Sequence, residues 1–91
     1  MKAQKKPVII DYILYIGNAQ DIINFVESFN QNFDEHFNLY FKANNNHKLS
    51  VKTLEGSSYD LIANKHVIIR GVRGEFYPCE LSIFQETYDL I

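Results

Sequence analysis

The chain has 91 residues, which suffices for one domain and not for two. Hydrophobic residues make up 46% of it, so a core can form, and a net charge of −2 argues against a nucleic-acid binder that relies on a basic face. Its single cysteine cannot form an internal disulfide, and no apolar stretch approaches the roughly 18 residues of a membrane span. We therefore expect a single cytoplasmic domain over residues 1–91.

The first third of the chain predicts a strand followed by a helix. Residues 8–16 read VIIDYILYI, and both alternating faces are mostly apolar, which is typical of a central strand covered on both sides. Gly17 then breaks the strand and Asn18 is a good N-cap, with Asp21 in the first turn near the positive end of the helix dipole. The helix is predicted over about 19–32, with an apolar stripe of Ile22, Val26, Phe29 and Phe33.

The next segment, FDEHFNLYFK, fits both a helical and an alternating pattern. The NNNH turn signal and the alternation of LSVKT after it favour a hairpin over about 37–54. A turn at Glu55–Gly56, a short strand over 58–62 and a β-rich run over 66–72 follow. Arg73–Gly74 then reverses the chain into a short strand over 75–77.

Pro78 is expected to end that last strand. Ser82 and Gln85 fit a capping box and predict a short C-terminal helix over about 82–88. The fold class is therefore α+β: a single small domain with a mostly antiparallel sheet, packed by one main helix (about 19–32) and the short C-terminal helix.

The C-terminal run VIIRGVRGEFYPCELSIFQETY resembles the signature of a family of small phage and prophage proteins, whose members typically read GDYIIKGVKGEFYPCKPDIFEKTY. KKPVIIDYILYIGN is similar to the opening of the same family, and LSVKTLEG is similar to an element between them. The resemblance covers about residues 2–32 and 49–89. It implies a phage or prophage origin, and it brings no activity.

Two departures from that family pattern stand out. Asn64, Lys65 and His66 replace a Pro-Gly-Asp, which removes a carboxylate together with any function that rests on it. Glu80, Leu81 and Ser82 replace a Lys-Pro-Asp helix start, and the serine keeps a capping residue in place. The segment over 33–48 is also longer than in typical relatives, so it is where this chain would have acquired something of its own.

For the residues that could take part in catalysis or metal binding, we prefer structural roles. Cys79 lacks a histidine nearby in sequence, and only the fold could bring His66 to it, so packing is preferred over catalysis. His36, His47 and His66 match no common metal spacing. Asp34 and Glu35 are neighbours whose side chains point apart. We therefore expect no enzyme activity, no metal and no cofactor.

Two groups remain as binding candidates. In the predicted hairpin, Arg70 and Glu75 are expected to lie across from one another, either as a cross-strand ion pair or, with Arg73 and Tyr77, as a small basic and aromatic patch. The second group is Tyr40 and Phe41 on the earlier hairpin, for which core packing and a protein interface are equally open.

These features lead to two hypotheses of different kinds. The first is a phage-encoded binding protein that acts in the host cytoplasm and modulates a host protein by surface contact, without chemistry. The alternative is a homo-oligomeric sponge that sequesters a nucleotide-type ligand through Arg70, Arg73 and Tyr77. Binding to nucleic acid is disfavoured by the acidic balance.

Overall fold

The computed structural model describes residues 1–4, 6–41, 47–52 and 56–91. In that part of the chain six strands and three helices follow one another: β1 (Asp11–Leu14), α1 (Ala19–Glu27), α2 (Phe33–His36), β2 (Phe37–Phe41), β3 (His47–Lys52), β4 (Ser58–Asp60), β5 (His66–Arg70), β6 (Phe76–Glu80) and α3 (Leu81–Thr87).

The strands form two antiparallel sheets of three strands each, in the orders β1-β5-β6 and β2-β3-β4. We call them the first and the second sheet. The α+β class predicted from the sequence is confirmed, with the difference that the strands divide between two sheets.

β1 is shorter than the sequence pattern predicts, and it is an edge strand. Only Asp11–Leu14 pair with β5, and the register places Asp11 opposite Arg70, the last residue of β5. Because the chain turns away after Arg70, residues 8–10 have no neighbouring strand within the described chain. The expectation of a central strand over 8–16 was therefore wrong: β5 is the central strand.

α1 begins as predicted and ends earlier. The Asn18 side chain accepts a hydrogen bond from the Gln20 backbone N–H at 3.0 Å, as an N-cap does. The helix ends at Glu27, and not near residue 32, because Asn30 adopts a left-handed φ of 60°. The chain then forms the single helical turn α2, which is capped by Asn32.

Both patterns seen in the sequence over 33–42 occur, one after the other. Phe33–His36 is helical and Phe37–Phe41 is extended, and β2 pairs with β3 from Phe37↔Val51 to Phe41↔His47. The hairpin ladder is thus confirmed, while its predicted NNNH turn falls mostly on residues outside the described part of the chain.

Two expectations about the C-terminal end were wrong. Pro78 does not end β6 but lies in the middle of it, where it pairs with Ile68. A proline is tolerated there because β6 is an edge strand, and the backbone N–H that proline lacks is not needed on the unpaired edge. Ser82 does not cap α3: the N-cap is Glu80, which makes no side-chain capping bond, and Ser82 lies inside the helix.

The first sheet has apolar residues on both faces, and each face belongs to a different cluster. Its inner face contributes Ile68, Phe76 and the adjacent Tyr15 to the main core, which α1, α2 and the second sheet complete. Its outer face carries Val67 and Ile69, which α3 covers with Phe84. β5 thus separates two apolar clusters, and Val67, Ile68 and Ile69 are no more than 1% exposed.

The central position of β5 generates a stability prediction. Ile68 is fully buried, so Ile68→Val removes one methylene from a packed site and is expected to lower the free energy of unfolding by about 0.5–1.5 kcal/mol. Ile83→Val on α3 is the matched control, since Ile83 is 51% exposed and its change should stay within about 0.5 kcal/mol. Urea denaturation of both variants measures the difference, and equal effects would contradict the central role of β5.

Candidate functional site

The β5–β6 hairpin does not bring its charged and aromatic residues into one patch. Arg70 pairs with Phe76 on the inner face, and its guanidinium carbon lies 4.4 Å from the centre of the Phe29 ring. Such a contact stabilises by about 0.5–2 kcal/mol, depending on how dry it is. The Arg70 Nε atom is buried without a hydrogen-bond partner among the described residues. Arg70 is therefore half-buried, and its guanidinium plane packs on Phe29 just beyond the end of α1.

Tyr77 lies on the opposite face of the same sheet. It pairs with Ile69 and packs into the outer cluster, where it hydrogen-bonds Tyr88 of the C-terminal segment. Burial, and next to it this hydrogen bond, raise the pKa of the Tyr77 hydroxyl well above its usual range. Since Arg70 and Tyr77 face opposite sides, the structure does not unite them in a site that holds a phosphate and a base.

Glu75 does not lie opposite Arg70. Its neighbour across the turn is Gly71, whose N–H donates to the Glu75 carbonyl oxygen at 2.8 Å, and its carboxylate accepts the Arg73 backbone N–H at 2.9 Å. A Cβ atom at Gly71 would overlap the Glu75 carboxylate and would stand 3.1 Å from the Tyr77 ring. Glu75 thus closes the hairpin turn, and Arg73 remains exposed at its tip.

Tyr40 and Phe41 lie outside the core, at the end of β2. Tyr40 is 55% exposed and Phe41 is 79% exposed, so core packing does not account for either ring. In the described chain β2 pairs with β3 alone, which leaves its other edge uncovered. We call Tyr40, Phe41 and this free edge of β2 the aromatic edge, and it is the prominent surface feature that the sequence had indicated.

A second apolar surface was not anticipated from the sequence. On the outer face of the first sheet, an open groove of about 420 Å³ runs between residues 8–12 and the C-terminal residues from Phe84 to Ile91, and it continues into a space of about 460 Å³ over Leu14 and Val67. We call it the outer groove. α3 is too short to cover the whole face, and the two-sided apolar pattern of VIIDYILYI was the one signal that pointed there.

Cys79 has the environment of a structural thiol. It packs on the outer cluster, and its Sγ donates to the Glu80 carbonyl oxygen at 3.4 Å. Burial, assisted by the Glu80 charge, raises the pKa of the Cys79 thiol, so the reactive thiolate is disfavoured at neutral pH. The side chains of Cys79 and His66 also point to opposite faces of the first sheet. Cys79 pairs with Val67, the residue after His66, and successive side chains of a strand alternate between the two faces.

His66 is buried and holds a turn together. It is 2% exposed, its Nδ1 accepts the Ile62 backbone N–H at 2.8 Å, and its Nε2 lies 3.3 Å from the Tyr59 hydroxyl. An Nδ1 that accepts carries no proton, so this arrangement requires the neutral ring. Burial, and then the Lys65 charge, lower the pKa of His66, while Glu80 opposes them more weakly.

The other candidates for chemistry are separate from one another. The Nε2 atom of His47 bonds the Tyr15 hydroxyl at 2.9 Å, and that of His36 lies 3.3 Å from the Gln31 side-chain oxygen. Asp34 and Glu35 are exposed in α2. Within residues 1–4, 6–41, 47–52 and 56–91, no group of three or more His, Cys, Asp or Glu side chains is placed to hold a metal ion.

The helices of the described ranges are all too short or too polar to span a bilayer. Comparison of the chain with protein-family models, with curated proteins and with solved structures gave no match.

The hairpin turn generates a test of the role of Glu75. Gly71→Ala is expected to lower the free energy of unfolding by about 1–3 kcal/mol, because its methyl group displaces the Glu75 carboxylate and crowds the Tyr77 ring. In a Glu75→Ala background most of that loss should disappear, and a double-mutant cycle by urea denaturation measures the coupling. Additive effects would show that the carboxylate does not pack on Gly71.

The buried His66 makes stability depend on pH. Its folded pKa lies below the ordinary value of about 6.5, so the unfolded chain binds the proton more tightly. The contribution of the neutral ring is intact above about pH 6.5 and is lost as the pH falls below it, with a slope of at most about 1.4 kcal/mol per pH unit.

Urea denaturation at pH 7.5 and pH 5 checks the sign. His66→Asn keeps an acceptor for the Ile62 N–H and should show a smaller loss on acidification than the wild-type chain. His36→Asn removes a half-exposed histidine and serves as the control. A wild-type loss no larger than that of His66→Asn would contradict this role.

Proposed function

We propose that this chain is a small, non-enzymatic binding protein, encoded by a phage or prophage, that attaches to a host protein in the host cytoplasm through the aromatic edge. The observation that carries the proposal is the exposure of two adjacent aromatic rings, 55% at Tyr40 and 79% at Phe41, at the end of an uncovered edge strand. Exposed apolar side chains beside a free strand edge are typical of sites at which another chain adds a strand.

The alternation of a strand indicates how the partner approaches. Tyr40 pairs with Lys48 and Phe41 pairs with His47, so the two rings point to opposite faces of the second sheet. A partner that touches both rings must therefore lie along the edge of β2 and not on either face. Addition of a partner strand to β2 meets this requirement, because it uses the free backbone groups and places side chains on both faces.

Polar residues border the Tyr40 ring. Lys48, which lies opposite Tyr40, forms an ion pair with Asp60 at 3.2 Å, and Ser50 donates to the same carboxylate at 2.7 Å. All three side chains lie on the same face of the second sheet as Tyr40, where Lys48 and Asp60 are exposed and Ser50 is buried beneath them. An aromatic anchor with a polar border is the usual composition of a protein–protein interface, whose centre is apolar and whose rim is wet.

The proposed origin is supported by the C-terminal resemblance. At the first departure from the family pattern, Asn64 adopts a left-handed φ of 63°, which asparagine tolerates, so a turn forms without the Pro-Gly. At the position of the family aspartate, His66 accepts a backbone N–H, as a carboxylate would. The two departures are thus accommodated in an ordered turn, and the proposed origin rests on the resemblance alone.

The proposal predicts the loss of one partner on removal of the two rings. Tagged wild-type chain is used to capture proteins from bacterial lysate, and the captured protein is then purified and titrated against the chain. Tyr40→Ser with Phe41→Ser should weaken that binary complex by about 2 kcal/mol or more, roughly thirty-fold, because aromatic anchors dominate interface energies.

Val72→Ser is the matched control. Val72 is 69% exposed on the β5–β6 turn and lies outside the aromatic edge, so its replacement should leave the affinity unchanged. A complex that tolerates the double substitution, or that is equally sensitive to Val72→Ser, would overturn the assignment of the aromatic edge.

The nucleotide sponge is distinguished by a second measurement. Its phosphate and base contacts were assigned to Arg70, Arg73 and Tyr77, of which Arg70 and Tyr77 face opposite sides of the sheet. Thermal denaturation with a panel of mono-, di- and cyclic nucleotides should therefore leave the melting temperature unchanged. Stabilisation by one of them would favour the sponge over the host-binding protein.

A further inference from the structure

The segment over residues 8–10 has the sequence of a strand but no strand beside it. Val8, Ile9 and Ile10 are β-branched residues in line with β1, and β5 ends opposite Asp11. Val8 is 45% exposed and Ile9 is 82% exposed. Three consecutive strand-forming residues thus lie next to a free strand edge, with their backbone groups unpaired within the described chain.

The same segment forms one wall of the outer groove. Val8, Ile10 and Tyr12 alternate onto the outer face of the first sheet, where Phe84 and Tyr88 form the opposite wall. Because the wall formed by residues 8–12 belongs to the free edge of the first sheet, a strand that pairs with the edge of β1 lies directly beside the groove. The free edge and the uncovered apolar face are therefore parts of one surface.

We propose that this surface binds a second copy of the chain, and that the segments centred on Ile9 and Ile10 in the two copies pair antiparallel about a two-fold axis that passes through one of these two residues. Pairing about an axis perpendicular to the sheet keeps the outer faces of both copies on the same side. It joins the two first sheets into one sheet of six strands and places the two outer grooves next to each other. The arrangement is isologous and closed, so it stops at a dimer.

Charge supports a second copy as the occupant. The arm that precedes the strand carries Lys2 and Lys6, and Asp89 lies at the rim of the outer groove. In the antiparallel arrangement the arm of each copy runs along the β1 and groove of the other. Lys6, an even-numbered residue like Val8 and Ile10, then falls on the groove side, toward Asp89 of the second copy.

The dimer lies at β1 and the host-binding proposal at β2, so each is tested without the other. Analytical ultracentrifugation over a range of protein concentrations should show a reversible dimer of the wild-type chain. Ile9→Lys should weaken it at least about tenfold, because two like charges then meet beside the two-fold axis. A wild-type chain that remains monomeric up to millimolar concentration would overturn the proposal.

Val72→Lys is the matched control, because Val72 is a similarly exposed aliphatic residue placed on the β5–β6 turn. It should leave the dimer unchanged, and the circular dichroism of both variants should match that of the wild-type chain. A dimer that is insensitive to Ile9→Lys would contradict pairing through β1.

Disulfide cross-linking tests the geometry without a disruptive change. In a Cys79→Ser background, single cysteines are introduced in turn at residues 8, 9, 10 and 11 and oxidised. A two-fold antiparallel pair brings only one residue opposite its own copy, and the copies of its neighbours lie beyond the roughly 7 Å that a disulfide spans between Cα atoms. Cross-linking should therefore peak at one position, whereas equal yields, or a higher yield for Val72→Cys, would contradict the arrangement.

Discussion

The fold depends on the burial of β5 from both sides. Its three central residues are essentially inaccessible, with Ile68 facing the main core and Val67 and Ile69 facing the cluster under α3. Every other part of the first sheet is placed by pairing with this strand or by packing against it. Because β5 ends at Arg70, it also sets the length over which β1 finds a partner, and residues 8–10 are left beyond that limit.

The four sheet edges of the described chain are not equally protected. β6 carries Pro78, which removes a backbone donor, and β4 is only three residues long and carries Asp60, which is paired with Lys48. These are ordinary means of preventing unwanted strand addition. β1 also carries a charge, at Asp11, but the exposed apolar Ile9 lies directly before it, and β2 ends in the exposed Phe41. Both proposals follow from this difference, since each assigns a partner to one open edge.

The charged and titratable residues that were candidates for a functional site make structural contacts. Arg70 packs over Phe29, His66 accepts a backbone N–H in its neutral form, and Glu75 covers Gly71. Burial moves the pKa of Cys79 away from the thiolate form. The dense C-terminal motif therefore contributes a hairpin and a helix that pack on the outer cluster.

Local interactions explain which features could be predicted from the sequence. The Asn18 cap, the start of α1, the β2–β3 ladder and the α+β class rest on contacts between residues close in the chain, and each was predicted. The exposure of Tyr40 and Phe41 was left open, because alternation alone does not say which face of a strand is covered. The Ser82 cap was wrong, since α3 begins at Leu81, directly after β6 ends at Glu80, and Ser82 lies inside the helix.

The amino-acid sequence by itself thus determined the α+β class, the start of α1 and the hairpin of β2 and β3. Only the tertiary structure decided that β5 and not β1 is central, that Arg70 and Tyr77 face opposite sides, and that an apolar groove stays open beside α3. The physical reason is that strand order and the side on which a helix packs depend on contacts between distant segments. These contacts are selected by the burial of the whole chain and leave no local signal.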